Sequence, residues 1–89
     1  METPEFTVEE LAAELTAAGT DESLDLAGGL DTDWVALGVD SLVLLETAGR
    51  VERARKVRLP DDAVDVLRTP RDLLAAVNAL LEPASEART

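Results

Sequence analysis

The sequence predicts a small all-α bundle of three longer helices and one short one, with a long loop after the first helix. Its 89 residues are one domain's worth, enough to bury a modest core and too few for a deep cleft with its own supporting shell. The hydrophobic content of 46% comes with one Trp, one Phe and no Tyr, so the core must be built from Leu, Val and Ala, as in a helical bundle. Apolar residues recur at helical spacing, and few of the β-branched alternations that mark a sheet occur. We read residues 1–89 as a single domain, ordered over about 6–81, with loose ends at 1–5 and 84–89.

Pro4 blocks an early helix, and Phe6-Thr7-Val8-Glu9-Glu10-Leu11 then carries two start signals. Thr7 and Glu10 stand at capping-box spacing, Phe6 and Leu11 at hydrophobic-staple spacing. Val8, Leu11, Ala12 and Leu15 share one face of the helix that follows, Glu9, Glu10 and Glu14 lie elsewhere on the cylinder, and Gly19 ends it. Residues 19–39 form a long connection pinned by Leu24, Leu26, Leu30, Trp34 and Leu37, with Trp34 plugging one end of the bundle. The scattered acids of this loop invite a calcium reading, which fails. An EF-hand loop begun at Asp31 needs Gly at its sixth place and Glu at its twelfth, where Ala36 and Leu42 stand. No metal site is expected.

At Leu37-Gly38-Val39-Asp40-Ser41-Leu42 a polar turn hands over to an apolar helix. Gly38 suits a tight approach and accepts backbone conformations that a side chain forbids, and Asp40 is a good cap. Ser41 then sits where unpaired N–H groups and the helix dipole favour a phosphate. Two readings stay open on the turn alone: Asp40 and Ser41 merely cap a helix, or Ser41 carries a phosphate ester. Leu44, Ala48 and Val51 form the inward stripe of this second helix. Leu42, Leu45 and Gly49 form another beside it, flanked by Glu46, which is either a wide buried face or a partner-docking surface. Arg50, Arg53, Arg55 and Lys56 suit the negative end of the dipole.

Val57-Arg58-Leu59-Pro60 reads as an extended link, because the proline cannot continue the helix. Asp61 to Leu67 is a short acidic helix or turn anchored by Val64 and Leu67. Thr69 caps the last helix, with Pro70 at its first position and Asp72 at its third. Leu73, Leu74, Val77, Leu80 and Leu81 supply its apolar face, and Pro83 stops it.

Nineteen acidic against eight basic residues give a net charge of −11. That charge repels nucleic acid and anionic membranes, and asks for partners that are basic at their contact surface. Without Cys or His there is no disulfide, no thiolate metal site and no ordinary general base. Carboxylate pairs such as Asp61-Asp62 lie in an exposed, polar segment and not in a pocket, so the chain is not read as an enzyme. No stretch is long enough to span a bilayer and the first residues lack a signal-peptide pattern, which makes the cytoplasm the expected location.

Together, Leu37-Gly38-Val39-Asp40-Ser41-Leu42, Leu44-Leu45-Glu46-Thr47-Ala48, Leu59-Pro60-Asp61-Asp62 and Thr69-Pro70-Arg71-Asp72-Leu73-Leu74 resemble an acyl carrier protein. The set is most similar to the discrete carriers of type II aromatic polyketide synthases, and the resemblance runs from about Leu24 to Leu81. It implies a four-helix bundle with a long first loop and a single acyl carrier domain. It implies that Ser41 receives 4′-phosphopantetheine from coenzyme A through a separate magnesium-dependent transferase, with Asp40 and Leu42 flanking the attachment site. The arm's thiol would hold malonyl and growing polyketide chains as thioesters, which lets a Cys-free protein do thiol chemistry.

The partners so implied are a ketosynthase with its chain-length factor, a malonyl acyltransferase, the phosphopantetheinyl transferase and tailoring enzymes, met by a monomer. Docking would use Leu42, Leu45, Glu46, Glu52, Asp61, Asp62 and Asp65. The chain departs from its relatives at Val39, where they often carry an aromatic, and at Arg55 and Lys56, where an aromatic and a glycine are common. Arg50 and Arg53 interrupt the acidic face. A peptidyl or aminoacyl carrier would use the same serine, and an unmodified acidic helical adaptor is the reading from another class.

Overall fold

A computed structural model of the chain describes residues 5–21 and 23–81. Pro4, Pro83 and the fraying expected at 84–89 lie outside the described residues. Four helices occur in chain order, and the described residues contain no strand. They are α1 (Val8–Ala18), α2 (Ser41–Arg55), α3 (Ala63–Val66) and α4 (Pro70–Leu81). The all-α class, the short third helix and the long first loop are as expected, and a single 3-10 turn at Ala27–Gly29 interrupts that loop.

At the start of α1, the Thr7 hydroxyl accepts the Glu10 N–H at 3.2 Å, and Phe6 and Leu11 are both buried. Only half of the capping box forms. The Glu10 carboxylate goes to the Arg55 guanidinium, at 2.6 and 2.7 Å, because a paired charge outweighs a neutral amide. Arg55 also donates to the Glu5 carbonyl at 3.1 Å and lies 5.6 Å from the centre of the Phe6 ring. The Glu5 carbonyl is thus bonded to the end of α2. At the other end of α1 the Gly19 N–H returns to the last turn with φ +123°, a left-handed cap.

The core gathers Leu11 and Leu15 from α1, Leu44, Ala48 and Val51 from α2, and Leu73 and Val77 from α4. Phe6, Leu26, Trp34, Val39, Leu59 and Ala63 close it from the connections and α3. Each fully buried large side chain contributes roughly 1.5–3 kcal/mol. Thr47 is fully buried as well, its hydroxyl donating to the Val43 carbonyl at 2.8 Å. Asn78 exchanges both amide bonds with the Phe6 backbone, at 2.8 and 3.0 Å, and so ties the start of the chain to α4.

One assignment of core residues is extended and one needs correction. Val64 and Leu67 of the third segment are half-buried and pack against the core as expected, and Ala63 with Leu59 just before it, both buried, anchor it further. A helix of four residues has one inward position, and a small residue lets it approach closely. In α4, Leu80 is 48% exposed, and buried Pro70 takes a place on the inward face. Leu80 sits at the edge of the arc centred on Val77, where it meets the shallow groove beside Leu59 and Pro60.

The Glu10–Arg55 pair makes stability pH-dependent. The Arg55 hydrogen bond holds the Glu10 carboxyl below its ordinary value of 4.5. A lowered folded pKa stabilises above that value, and the contribution disappears as pH falls through the folded pKa. Glu10→Gln is expected to cost about 1–2 kcal/mol at pH 7. Urea unfolding of variant and wild type should converge as the pH falls below 4.5 and through the lowered folded pKa of Glu10. A gap that persists unchanged into acid would place the effect elsewhere.

Candidate functional site

The site is built where the long loop meets α2. Trp34 anchors that loop: its backbone N–H donates to the Arg68 carbonyl at 3.0 Å and its ring Nε1–H to the Leu67 carbonyl at 2.8 Å. The Trp34 carbonyl in turn accepts the N–H groups of Leu37 and Val39, at 3.0 and 2.9 Å, which winds residues 34–39 into a tight turn. Gly38 ends the turn at φ +84°. Its glycine is required by that angle, not by a close approach, since a Cβ placed there would meet nothing within 4 Å. Three bonds fix the loop to α4: the Arg71 N–H to the Leu30 carbonyl at 2.9 Å, and the Arg71 guanidinium to both Asp31 oxygens at 2.6 and 3.1 Å. The same guanidinium holds the Asp31 carboxyl below its ordinary range.

Asp40 is the cap of α2, with extended backbone and its carboxylate accepting the Val43 N–H at 2.9 Å. Ser41 follows as the first helical residue and its side chain is exposed. A hydroxyl there is open to a reagent and sits at the positive end of a helix of 15 residues. Beside it runs a cleft of about 230 Å³. Trp34, Val39, Leu44 and Val64 form its apolar wall, and Asp33, Val35, Asp65 and Arg68 stand around it with Ser41. Leu44 and Val64 also line a narrower apolar recess that continues inward towards Ala48, Ala63 and Leu73. An exposed hydroxyl next to a part-polar cleft fits a covalently held anion with an organic chain. Among the described residues no group of His, Cys, Asp or Glu could hold a metal ion.

Apolar side chains also stand exposed next to Ser41 on α2. Leu42 is 77% exposed and Leu45 60%, so the second stripe of α2 faces solvent instead of widening the buried face. Val35, 85% exposed, and Val66, 50% exposed, also present apolar side chains. Sequence reading missed both, together with Asp33 and Arg68 in the cleft. Apolar residues in a loop and in a four-residue helix carry no periodicity by which their facing could be read.

Of the acids, Glu46, Asp61, Asp62 and Asp65 are exposed. Glu46 has only a long contact of 3.9 Å with Arg50. Glu52 is placed differently: half-buried, its carboxylate accepts the Leu59 N–H at 2.7 Å and holds the link after α2. That bond withdraws one carboxylate oxygen from any partner, so its work includes the fold. The Arg50 guanidinium is shared: its short contact is to Glu14 of α1 at 3.0 Å, and its long one is to Glu46. Lys56 caps α2 with φ +57°, in the left-handed region that favours glycine. Val39 is buried and forms cleft wall.

Comparison with known proteins identifies the family. Residues 7–77 match the family described as the phosphopantetheine attachment site. The chain is 52% identical over 69 residues to the oxytetracycline polyketide synthase acyl carrier protein of Streptomyces rimosus, a match spanning 76% of this chain and 73% of that one. The solution structure of the oxytetracycline acyl carrier protein superposes with a TM-score of 0.76 at 44% identity, covering 89% of this chain and 85% of the other. The malonyl form of the acyl carrier protein from the actinorhodin polyketide synthase of Streptomyces coelicolor gives 0.77 at 38% identity, covering 94% and 99%.

Proposed function

This chain belongs to the acyl carrier proteins of the phosphopantetheine attachment family, and on that premise we propose that Ser41 takes the arm and that the face around it presents the cargo to the synthase. It is a carrier of polyketide chains rather than a catalyst. When bound, 4′-phosphopantetheine supplies the thiol on which malonyl and growing chains are held as thioesters, a group that a chain without Cys lacks. The single observation that carries the assignment to Ser41 is its exposed hydroxyl at the first position of α2, opening onto the cleft between the long loop and α3.

In loading, the Ser41 oxygen attacks the phosphorus of coenzyme A that bears the pantetheine and displaces the nucleotide bisphosphate. The serine proton passes to a base on a separate magnesium-dependent transferase. Asp40 caps α2 beside the serine, its carboxylate accepting the Val43 N–H. Leu42 and Leu45 offer the apolar contact for partners, and Glu46, Asp61, Asp62 and Asp65 the charges that steer basic patches towards it. The partners are a ketosynthase with its chain-length factor, a malonyl acyltransferase and tailoring enzymes, met by a cytoplasmic monomer whose contacts are weak and quickly broken.

Incubation with coenzyme A and a phosphopantetheinyl transferase should add one pantetheinyl mass; an unmodified adaptor would gain none. Charge reversal at Glu46 separates docking from folding. Glu46→Lys is expected to lower kcat/KM for loading or for malonyl transfer by about 3- to 10-fold at low salt, with the gap closing as salt screens it. Its thermal midpoint should stay at the wild-type value. Unchanged kinetics at low salt would remove Glu46 from the docking surface.

A further inference from the structure

We propose that the Arg68 guanidinium holds the phosphodiester of the arm on Ser41, fixing the root of that arm at the mouth of the cleft. The inference rests on Ser41 being the attachment site. Arg68 is the only cation among the described residues that line this cleft, where the other charges are Asp33 and Asp65. A phosphodiester on Ser41 would add a further negative charge beside Asp40, in a chain of net charge −11. Like charges at such spacing repel unless a cation answers them.

Arg68 is placed to be that cation. Its backbone is pinned on both sides: the N–H donates to the Asp72 carboxylate at 3.2 Å, and the carbonyl accepts the Trp34 N–H at 3.0 Å. Its side chain starts from a fixed point yet is 68% exposed. Its contact with Asp33 is 3.8 Å, beyond hydrogen-bond length. Arg50, Arg55 and Arg71, by contrast, hold carboxylates at 3.0, 2.6 and 2.6 Å. A phosphodiester offers two free oxygens to the planar guanidinium fork at about 2.7–2.9 Å, a better partner than the distant Asp33. Arg68 would then swing from Asp33 to the phosphate, leaving its backbone bonds in place.

The test compares nitrogen-15 spectra of the full chain before and after loading from coenzyme A, with loading verified by intact mass. The Arg68 Nε–H signal, assigned by its absence from Arg68→Gln, is expected to move on loading by more than that of Arg71. The phosphorus-31 signal of the loaded protein should differ between wild type and Arg68→Gln. The change in thermal midpoint on loading should be about 1–5 °C less favourable in Arg68→Gln, with part of the loss recovered by Arg68→Lys. An Arg68 signal that stays in place on loading overturns the proposal. So does one that moves only after malonylation, which would assign the side chain to the cargo carboxylate. A chain that gains no mass removes the Ser41 reading itself and this inference with it, and the mass spectrum tells that case apart before any resonance is read.

Discussion

Ser41→Ala should lose loading altogether: after incubation with coenzyme A and a phosphopantetheinyl transferase its intact mass stays that of the untreated chain, while the wild type gains one pantetheinyl group. The loss is chemical, not conformational. The Ser41 side chain is exposed, and the helix it opens is capped by Asp40, whose carboxylate bond to the Val43 N–H does not involve the serine hydroxyl. Exposed substitutions away from such caps change stability by less than about 0.5 kcal/mol. Urea unfolding of the variant should therefore superpose on that of the wild type. An alanine variant that unfolds early would mean that the hydroxyl serves the fold, and one that loads normally would mean that another hydroxyl does the work.

Trp34→Ala should produce the largest loss of stability. The ring is 4% exposed, it packs among the core residues, and its Nε1–H satisfies the Leu67 carbonyl at 2.8 Å. Truncation of a buried Trp to Ala costs about 3–5 kcal/mol, and the stranded carbonyl adds to it. At roughly 0.05–0.15 kcal/mol per residue, a domain of this length has a total of about 4–13 kcal/mol. The variant thus sits near the threshold of folding. Trp34→Phe keeps most of the volume, gives up the hydrogen bond and should cost less, about 1–2 kcal/mol. Far-ultraviolet circular dichroism in urea gives both values, and is preferable to fluorescence because the chain has one Trp. Equal stabilities for the two variants would make the hydrogen bond, not the packing, the source of the loss.

What was legible in the sequence was mostly local. The Thr7 cap, the Asp40 cap and the Thr69 cap over Asp72 each follow from a residue and its neighbour three places on, and all three form. The inward stripe of Leu44, Ala48 and Val51 follows from helical spacing and is buried. Ser41 was legible as a candidate because the turn, the cap and the apolar helix coincide there.

The rest depends on partners far along the chain. Arg50 and Arg55 read as answers to their own helix dipole, yet their guanidinium groups reach Glu14 and Glu10, 36 and 45 residues away. Glu52 read as a docking acid from the family resemblance, and its bond to the Leu59 amide seven residues on depends on the turn of the chain after α2, which helical spacing does not give. The charged side of the cleft, Asp33 and Arg68, was invisible for the same reason: 35 residues separate them in the chain, and the Trp34 bonds to Leu67 and Arg68 bring them together. Leu42 and Leu45 could be placed on one stripe of α2 from spacing, but which side of that stripe met solvent depended on how the loop and α3 close the core.

The most direct measurement is to locate the added mass by fragmenting the loaded, intact protein. The chain has three serines, Ser23, Ser41 and Ser85, so the fragments on either side of each decide among them. One pantetheinyl group on Ser41, with Ser23 and Ser85 unmodified, is the predicted result. The group on either of the other serines, or no added mass on a chain that unfolds cooperatively, would contradict the assignment of this site.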